Sequence, residues 1–290
     1  MKAAAFDYAA PATVDEAVAV LAEHADDASV LAGGQSLVPL MALRLAVPAM
    51  IVDINRVSGL DTVTRENGHV RIGALVRHAA LTTPGSAADD VPLLARAAPL
   101  IGHFQIRNRG TVCGSLTHAD AAAEWPLVAT TLDAEIELRS RDSGARTVAA
   151  RDFFAGPFTT ARTADELAVG VRFPVWRPDA GFGLAEFARR SGDFAIAGAA
   201  CGIEVTDGRV SRCAIGLLGL AGVPLRAHGA EAALIGAAVR EVDPDEVGAG
   251  VTVELTPPAD IHASSRYRRR VGAAMVARAL ATALREAGHA

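Results

Sequence analysis

The sequence predicts an α+β chain of two domains, and three observations carry that prediction. Helix-period and strand-period segments both occur through the first 176 residues, so the chain mixes helices with strands and is neither all-helical nor all-strand. Pro and Gly accumulate between Trp176 and Gly183, which places a boundary between a domain spanning 1–176 and one spanning 177–290. Beyond it, two apolar runs flank Asp207-Gly208, a hairpin signal, and a long amphipathic segment closes the chain. A length of 290 residues suits two modest domains, and 51% apolar residues suffice for their cores.

Element by element, Thr13 and Glu16 form a capping box ahead of Ala17, Val20 and Leu21, which predicts a helix over 11–25. A β-type run over 29–32 stops at Gly33-Gly34; 37–45 reads as a short helix and 50–54 as a strand. The Asn67-Gly68 turn precedes a strand over 69–74. An apolar helix is expected over 91–101, with Asp89 and Asp90 at its positive end. Residues 102–120 read as a loop, 121–132 as a helix, 134–138 as a strand and 167–173 as an alternating strand. In the second domain strands are expected over 196–205 and 210–218, a helix over 230–239 and a final helix over 264–286. Tyr267, Val271, Met275, Ala279 and Leu280 share one face of that final helix. Arg266, Arg268, Arg269 and Arg270 read as its solvated face, or as a surface for an acidic partner.

The bulk properties exclude several function classes. A net charge of −5 lacks the basic stripe of a nucleic-acid binder. Cys113, Cys201 and Cys213 form no C-x-x-C pair, which speaks against an iron–sulfur or zinc site, and an odd count fits a reducing, cytoplasmic compartment. The first ten residues lack the apolar core of a signal peptide, and the apolar run near 214–225 is too short for a membrane span. Walker A, G-x-S-x-G and G-x-G-x-x-G patterns are all missing.

Two glycine turns remain as candidates for chemistry. Ala32-Gly33-Gly34-Gln35-Ser36-Leu37 joins a strand to a helix, a geometry suited to an anionic phosphate, with Ser36 as an added donor. Arg109-Gly110-Thr111-Val112-Cys113-Gly114-Ser115 lies in the long loop, and two such turns can grip the two phosphates of one dinucleotide. Read alone, the first is equally a tight turn with no ligand, and the second can also be a glycine-bearing surface loop, a reading the sequence favours less. His118 and Asp120 lack a third metal ligand. Asp120 and Glu124 either complement a helix dipole or bond a cofactor hydroxyl.

Taken in order, these stretches resemble the molybdenum hydroxylase flavoproteins, the family of carbon monoxide dehydrogenase medium subunits and xanthine dehydrogenase FAD portions. The first turn is similar to that family's first FAD loop, and Ile106 through Leu116 to its second, with Cys113 where glycine is usual. Asp120 through Pro126, Arg190-Ser191-Gly192-Asp193-Phe194-Ala195, Pro224-Leu225-Arg226-Ala227 and residues 263–269 match further family patterns, so the resemblance covers nearly the whole chain. It implies a two-lobed FAD-binding domain of vanillyl-alcohol-oxidase type over 1–176, its lobes divided near residue 57, followed by a small α+β domain over 177–290. It implies FAD bound noncovalently by Ala32, Gly33, Gly34, Gln35, Ser36, Leu37, Thr111, Val112, Cys113, Gly114, Ser115, Asp120, Glu124, Val169 and Phe194, with no catalytic acid, base or metal in this chain. The implied partners are a large molybdenum-cofactor subunit and a small subunit carrying 2Fe-2S clusters, as a dimer of heterotrimers. Segments 103–109 and 190–194 are the expected docking surfaces for the iron–sulfur subunit. The alternatives are a stand-alone flavin oxidase or reductase and a non-catalytic scaffold.

Overall fold

The structure, a computed structural model, describes residues 2–85 and 87–288. Residues before Val57 build a parallel sheet from β1 (Asp7–Ala9), β2 (Ala28–Leu31) and β3 (Met50–Asp53), with α1 (Val14–His24) and α2 (Leu37–Ala42) in the connections. The order is β1-β3-β2, with Tyr8 opposite Ile51 and Val30 opposite Val52. The predicted capping box holds: Thr13 Oγ1 accepts from the Glu16 amide, and Glu16 accepts from the Thr13 amide. Ala17, Val18 and Leu21 bury the inner face of α1. Sequence reading missed β1, whose three residues are mostly exposed.

The next stretch contains β4 (Val63–Glu66), β5 (His69–Gly73), α3 (Pro92–Ala97), α4 (Phe104–Arg107), α5 (Val112–His118) and α6 (Glu124–Thr131). It continues through β6 (Glu135–Ser140), β7 (Gly144–Ala149), α7 (Ala150–Phe153), β8 (Phe154–Gly156), β9 (Thr159–Thr160) and β10 (Leu167–Pro174). Five of these strands form an antiparallel sheet ordered β4-β5-β10-β6-β7, and β8 pairs β9 separately. Trp125, Phe153 and Phe173 are fully buried beside it.

Two expectations are corrected here. The helix over 91–101 ends at Ala97 and tightens into a 3-10 turn over Ala98–Leu100, where Pro99 has no amide to continue the ladder. Asp89 and Asp90 directly precede the helix at its positive end, as expected, and each also has a partner of its own. Asp89 accepts from the Gly85 amide at 2.6 Å, and Asp90 pairs with Arg65 at 2.8 Å. The loop over 102–120 contains α4 and α5. Thr111 caps α5 through its hydroxyl, Gly114 and Ser115 form the first turns, and Ala119 ends it in the left-handed region.

The C-terminal part has β11 (Gly181–Phe187), β12 (Ala197–Thr206), β13 (Arg209–Leu218) and β14 (Leu225–Arg226) in one antiparallel sheet, ordered as in sequence. α8 (His228–Leu234), α9 (Pro244–Thr252) and α10 (Ser265–Ala287) follow. Asp207 and Gly208 turn the β12–β13 hairpin with φ of 51° and 71°. Ala197, Ala199, Cys201 and Ile203 face α10, while Ala200 and Ala214 join the core that holds Trp125 and Trp176. The sheet is thus covered on both faces, which is why its long strands read as unbroken apolar runs. Small residues let the helices close in: a Cβ on Gly183 would overlap the Ala279 carbonyl of α10, and one on Gly216 would overlap Thr131 Oγ1 of α6.

Two helix expectations shift. α8 stops at Leu234 instead of reaching 239, because Gly236 turns the chain at φ +83°. Along α10 the buried stripe starts with Arg268 and Gly272, leaving Tyr267 41% exposed. Arg268 is therefore no solvated side chain. It is buried, donates to the Ile196 carbonyl at 2.6 Å and pairs with Asp260 at 2.5 Å, tying the start of β12 to the segment before α10. Among the described residues, no helix is long and apolar enough to cross a membrane.

Candidate functional site

The two glycine turns meet. A Cβ on Gly33 would strike the Arg109 carbonyl and lie 2.6 Å from Gly110 Cα, so the backbones touch where any larger residue would separate them. Gly34 holds φ at +72°, which turns the chain into α2. Among the described residues, the amides of Gly33, Gly34, Gln35, Ser36 and Leu37 find no acceptor. In the second turn the Val112 amide donates to Val76 and the Gly114 amide to Thr111 Oγ1.

A polar strut locks the turns together. Asn55 Nδ2 donates to the Ala32 carbonyl at 2.8 Å, and Arg77 donates to Asn55 Oδ1 at 2.6 Å and to the Arg109 carbonyl. Asp53 anchors Asn55 from below and accepts from Tyr8 at 2.6 Å; these bonds hold its carboxyl below the usual range against the opposing pull of burial. Behind the second turn stands His78. Its amide donates to the Gly110 carbonyl, and Trp125 Nε1 donates to its Nδ1 at 2.9 Å. Burial, then Arg77 and Arg107, push the imidazole down to about 4, so it stays neutral and accepts from Trp125 at neutral pH.

The turns, β2, the start of α5, the β10 edge and the 190–194 segment enclose a cavity of about 430 Å³, within the range of cofactor pockets. Glycine at the contact, unengaged amides on one side and two free hydroxyls, Ser36 and Ser115, on its wall suit a dinucleotide phosphate. Arg162 adds a half-buried cation to the wall, though one of its nitrogens is spent on the carbonyls of Thr163 and Glu166. Glu124 contributes a carboxyl that is 6% exposed and that burial and nearby Glu186 push up to about 8.

Of the residues expected at the site, all but Val112 and Val169 line this cavity. Val112, the first residue of α5, is buried, and Val169 sits at the β10 bulge with its carbonyl taking the Ala74 amide, so Leu167 and Ala168 hold the wall in its place. Cys113 also points inward: its Sγ approaches the Ile72 carbonyl, and burial raises the thiol to about 12. Of the docking candidates, Arg107 turns back on its own loop and donates to the Ile101 and Gly102 carbonyls at 3.0 and 2.8 Å. Sequence reading missed Asn55, Arg77, His78 and Trp125, whose partners lie 22 to 47 residues away. Among the described residues, no group of three or more His, Cys, Asp or Glu is placed to hold a metal.

Comparison with known proteins agrees along the full chain. Residues 4–176 match the FAD binding domain in molybdopterin dehydrogenase, and residues 183–283 match the CO dehydrogenase flavoprotein C-terminal domain. The 6-hydroxypseudooxynicotine dehydrogenase complex subunit alpha of Paenarthrobacter nicotinovorans is 41% identical over 99% of this chain and 97% of its own. The nicotine 6-hydroxylase medium subunit of the same organism is 38% identical over 98% and 99%. A solved carbon monoxide dehydrogenase from Hydrogenophaga pseudoflava superposes with a TM-score of 0.94 at 35% identity, covering 99% of both chains.

Proposed function

We infer that this chain, which belongs to the family of FAD-binding subunits of molybdopterin dehydrogenases, relays electrons inside a molybdenum hydroxylase complex. Electrons arrive from an iron–sulfur subunit and leave to an external acceptor, while a large molybdenum-cofactor subunit carries the substrate site. FAD, when bound, supplies the electron-accepting chemistry. The chain's residues bind and orient it, which is why the cavity needs no nucleophile or metal.

The observation that supports this reading best is the contact of two glycine turns across the cavity, locked by the Asn55–Arg77 strut. On this reading the unengaged amides of Gly33 through Leu37, with Ser36, hold one part of the pyrophosphate. Thr111, Cys113, Gly114 and Ser115 supply the other wall, and Asp120, Glu124 and Phe194 line the rest. The sheet break near residue 57 divides a vanillyl-alcohol-oxidase-type domain (1–176) into two lobes, and residues 177–290 form the C-terminal domain. A dimer of heterotrimers in the cytoplasm is the assembly we propose. Its iron–sulfur docking face is the rim where exposed Phe194 lines the cavity and exposed Phe104 stands two residues before the lining Ile106. Segments 103–109 and 190–194 join there: a Cβ on Gly192 would lie 2.5 Å from His103 Cε1. Exposed Arg109 and Arg190 give that rim a positive charge.

Rapid mixing tests the relay. In the assembled complex, the flavin absorbance bleaches when the substrate of the large subunit is added. In this chain alone, loaded with FAD, the same substrate causes no bleaching. Bleaching in the isolated chain would overturn the relay in favour of a stand-alone oxidase. Unchanged association of R109A/R190A with the iron–sulfur subunit at every salt concentration would move the docking face elsewhere.

A further inference from the structure

One nitrogen of the His78 ring is engaged and the other is free. The main chain here is fixed to the second turn: the His78 amide donates to the Gly110 carbonyl at 3.0 Å, and Arg77 and Thr111 form a β-bridge. The ring is 4% exposed and lines the cavity together with Gly110 and Thr111. Trp125, fully buried, donates its Nε1–H to His78 Nδ1 at 2.9 Å. An indole N–H can only donate, so Nδ1 is the bare, accepting nitrogen. The single proton of the neutral imidazole therefore sits on Nε2. Burial, with the charges of Arg77 and Arg107, keeps the ring neutral by pushing it down to about 4. Among the described residues, this Nε2–H meets no acceptor. Gly110 keeps that edge of the ring uncovered, since a Cβ there would lie 2.5 Å from Nε2 and 2.8 Å from Cδ2. A buried donor left without a partner is costly, and a ligand acceptor in the cavity removes that cost.

We propose that His78 donates its Nε2–H to a pyrophosphate oxygen of the FAD, and that Trp125 is the positioning residue that fixes the proton on that nitrogen. This inference rests on the reading of the cavity as the FAD site. On that reading the phosphates lie between the two turns, and the donor stands at Gly110, where the second turn meets Gly33 of the first. The tautomer decides the sign of the interaction. With the proton on Nε2 the ring offers a phosphate oxygen a hydrogen bond; with the proton on Nδ1 it would turn a lone pair toward that oxygen and repel it. Trp125 thus acts on the cofactor only through His78.

The test joins two measurements on the full chain near neutral pH: nitrogen-15 NMR of the histidine rings, and FAD affinity by flavin fluorescence. The His78 signals are those that vanish in H78Q. In the FAD-free wild type they show a protonated Nε2 and a bare Nδ1, and FAD shifts the Nε2–H proton downfield. A proton on Nδ1, or an Nε2–H signal that FAD leaves unmoved, overturns the proposal without any variant having to fold. H78N keeps an acceptor for Trp125 and lacks the outer donor, so it weakens FAD binding about tenfold or more, the size of one hydrogen bond to a charged group. H78Q places an amide N–H near the position of Nε2 and recovers most of that loss. Equal affinity in wild type, H78N and H78Q refutes the donation, and equal loss in both variants reduces His78 to a packing group. W125F frees the ring to rotate and to move its proton, giving mixed tautomer signals and a few-fold weaker FAD binding; wild-type signals and affinity in W125F remove Trp125 from the role. A wild type with the protonated Nε2 that binds no FAD refutes the FAD site, and the donation with it, while the tautomer stands. FAD bound with the proton on Nδ1 refutes the donation alone.

Discussion

In the first glycine turn, residues 33–37, every backbone amide is unengaged among the described residues, and Ser36 stands at the N-cap of α2 without bonding its own helix. In the second, the Val112 amide donates to the Val76 carbonyl, Arg77 and Thr111 form a β-bridge, Thr111 caps α5, and His78 and Trp125 brace Gly110 from behind. The two touch at one point, Gly33 on Arg109-Gly110. One turn is left open for a ligand, and the other is spent on building the wall against which that ligand sits. A glycine-rich stretch can therefore carry donors or simply permit a close approach, and only the fate of its amides tells which.

The largest effect should come from the open turn. Gly34→Asp removes FAD from the purified chain, seen as loss of the flavin absorbance from folded protein. A positive φ costs a residue with a side chain on the order of 1–2 kcal/mol, and the carboxylate adds repulsion against phosphate. Gly34→Asn separates these causes, since asparagine tolerates the left-handed region and carries no charge. Retained FAD in Gly34→Asn with none in Gly34→Asp assigns the loss to charge; equal loss in both assigns it to shape. Stoichiometric FAD in Gly34→Asp would remove the open turn from the site.

Next comes the built turn. A Cβ at Gly110 would lie 2.5 Å from His78 Nε2 and 3.2 Å from the Ile106 carbonyl, both fixed, so Gly110→Ala must displace the turn. Overpacking of this kind costs roughly 1–3 kcal/mol, and a weakening of FAD binding by about tenfold for each 1.4 kcal/mol lost at the site follows. His78→Ala added to Gly110→Ala makes room and recovers part of the loss, a positive coupling that a double-mutant cycle reads directly. Strict additivity of the two would mean that His78 is not what holds Gly110 in place.

Much of this architecture was legible in the sequence, and what was not shares a cause. Short-range signals translated directly: the Thr13–Glu16 capping box, the turn at Gly33-Gly34 and the Asp207-Gly208 hairpin each depend on residues at most three apart. α5 was hidden because its seven residues, V-C-G-S-L-T-H, lack both length and an apolar stripe. The strut and the His78–Trp125 bond were hidden because partners 22 to 47 residues apart leave no local pattern. Arg268 was misread for the opposite reason. Arginines in a row look solvated, but helical rotation turns one of four toward β12 and Asp260.

The smallest expected effect is also the sharpest contrast between the turns, because it compares two hydroxyls at equivalent places. Thr111 and Ser36 both occupy N-cap positions, yet only Thr111 accepts from its helix, taking the Gly114 amide at 3.1 Å. Removing a working cap costs about 1 kcal/mol, through the amide left without a partner and the first turn left to fray. Thr111→Ala should therefore lower the denaturant midpoint of the apoprotein by about that amount, while Ser36→Ala leaves it within a few tenths of a kcal/mol. FAD affinity should move the other way. Ser36→Ala deletes a hydroxyl that only a ligand can use and weakens binding by a few-fold, about 1 kcal/mol for one lost hydrogen bond. If Ser36→Ala instead destabilised the apoprotein as much as Thr111→Ala does, both turns would be scaffolding, and the division between an open turn and a built one would fail.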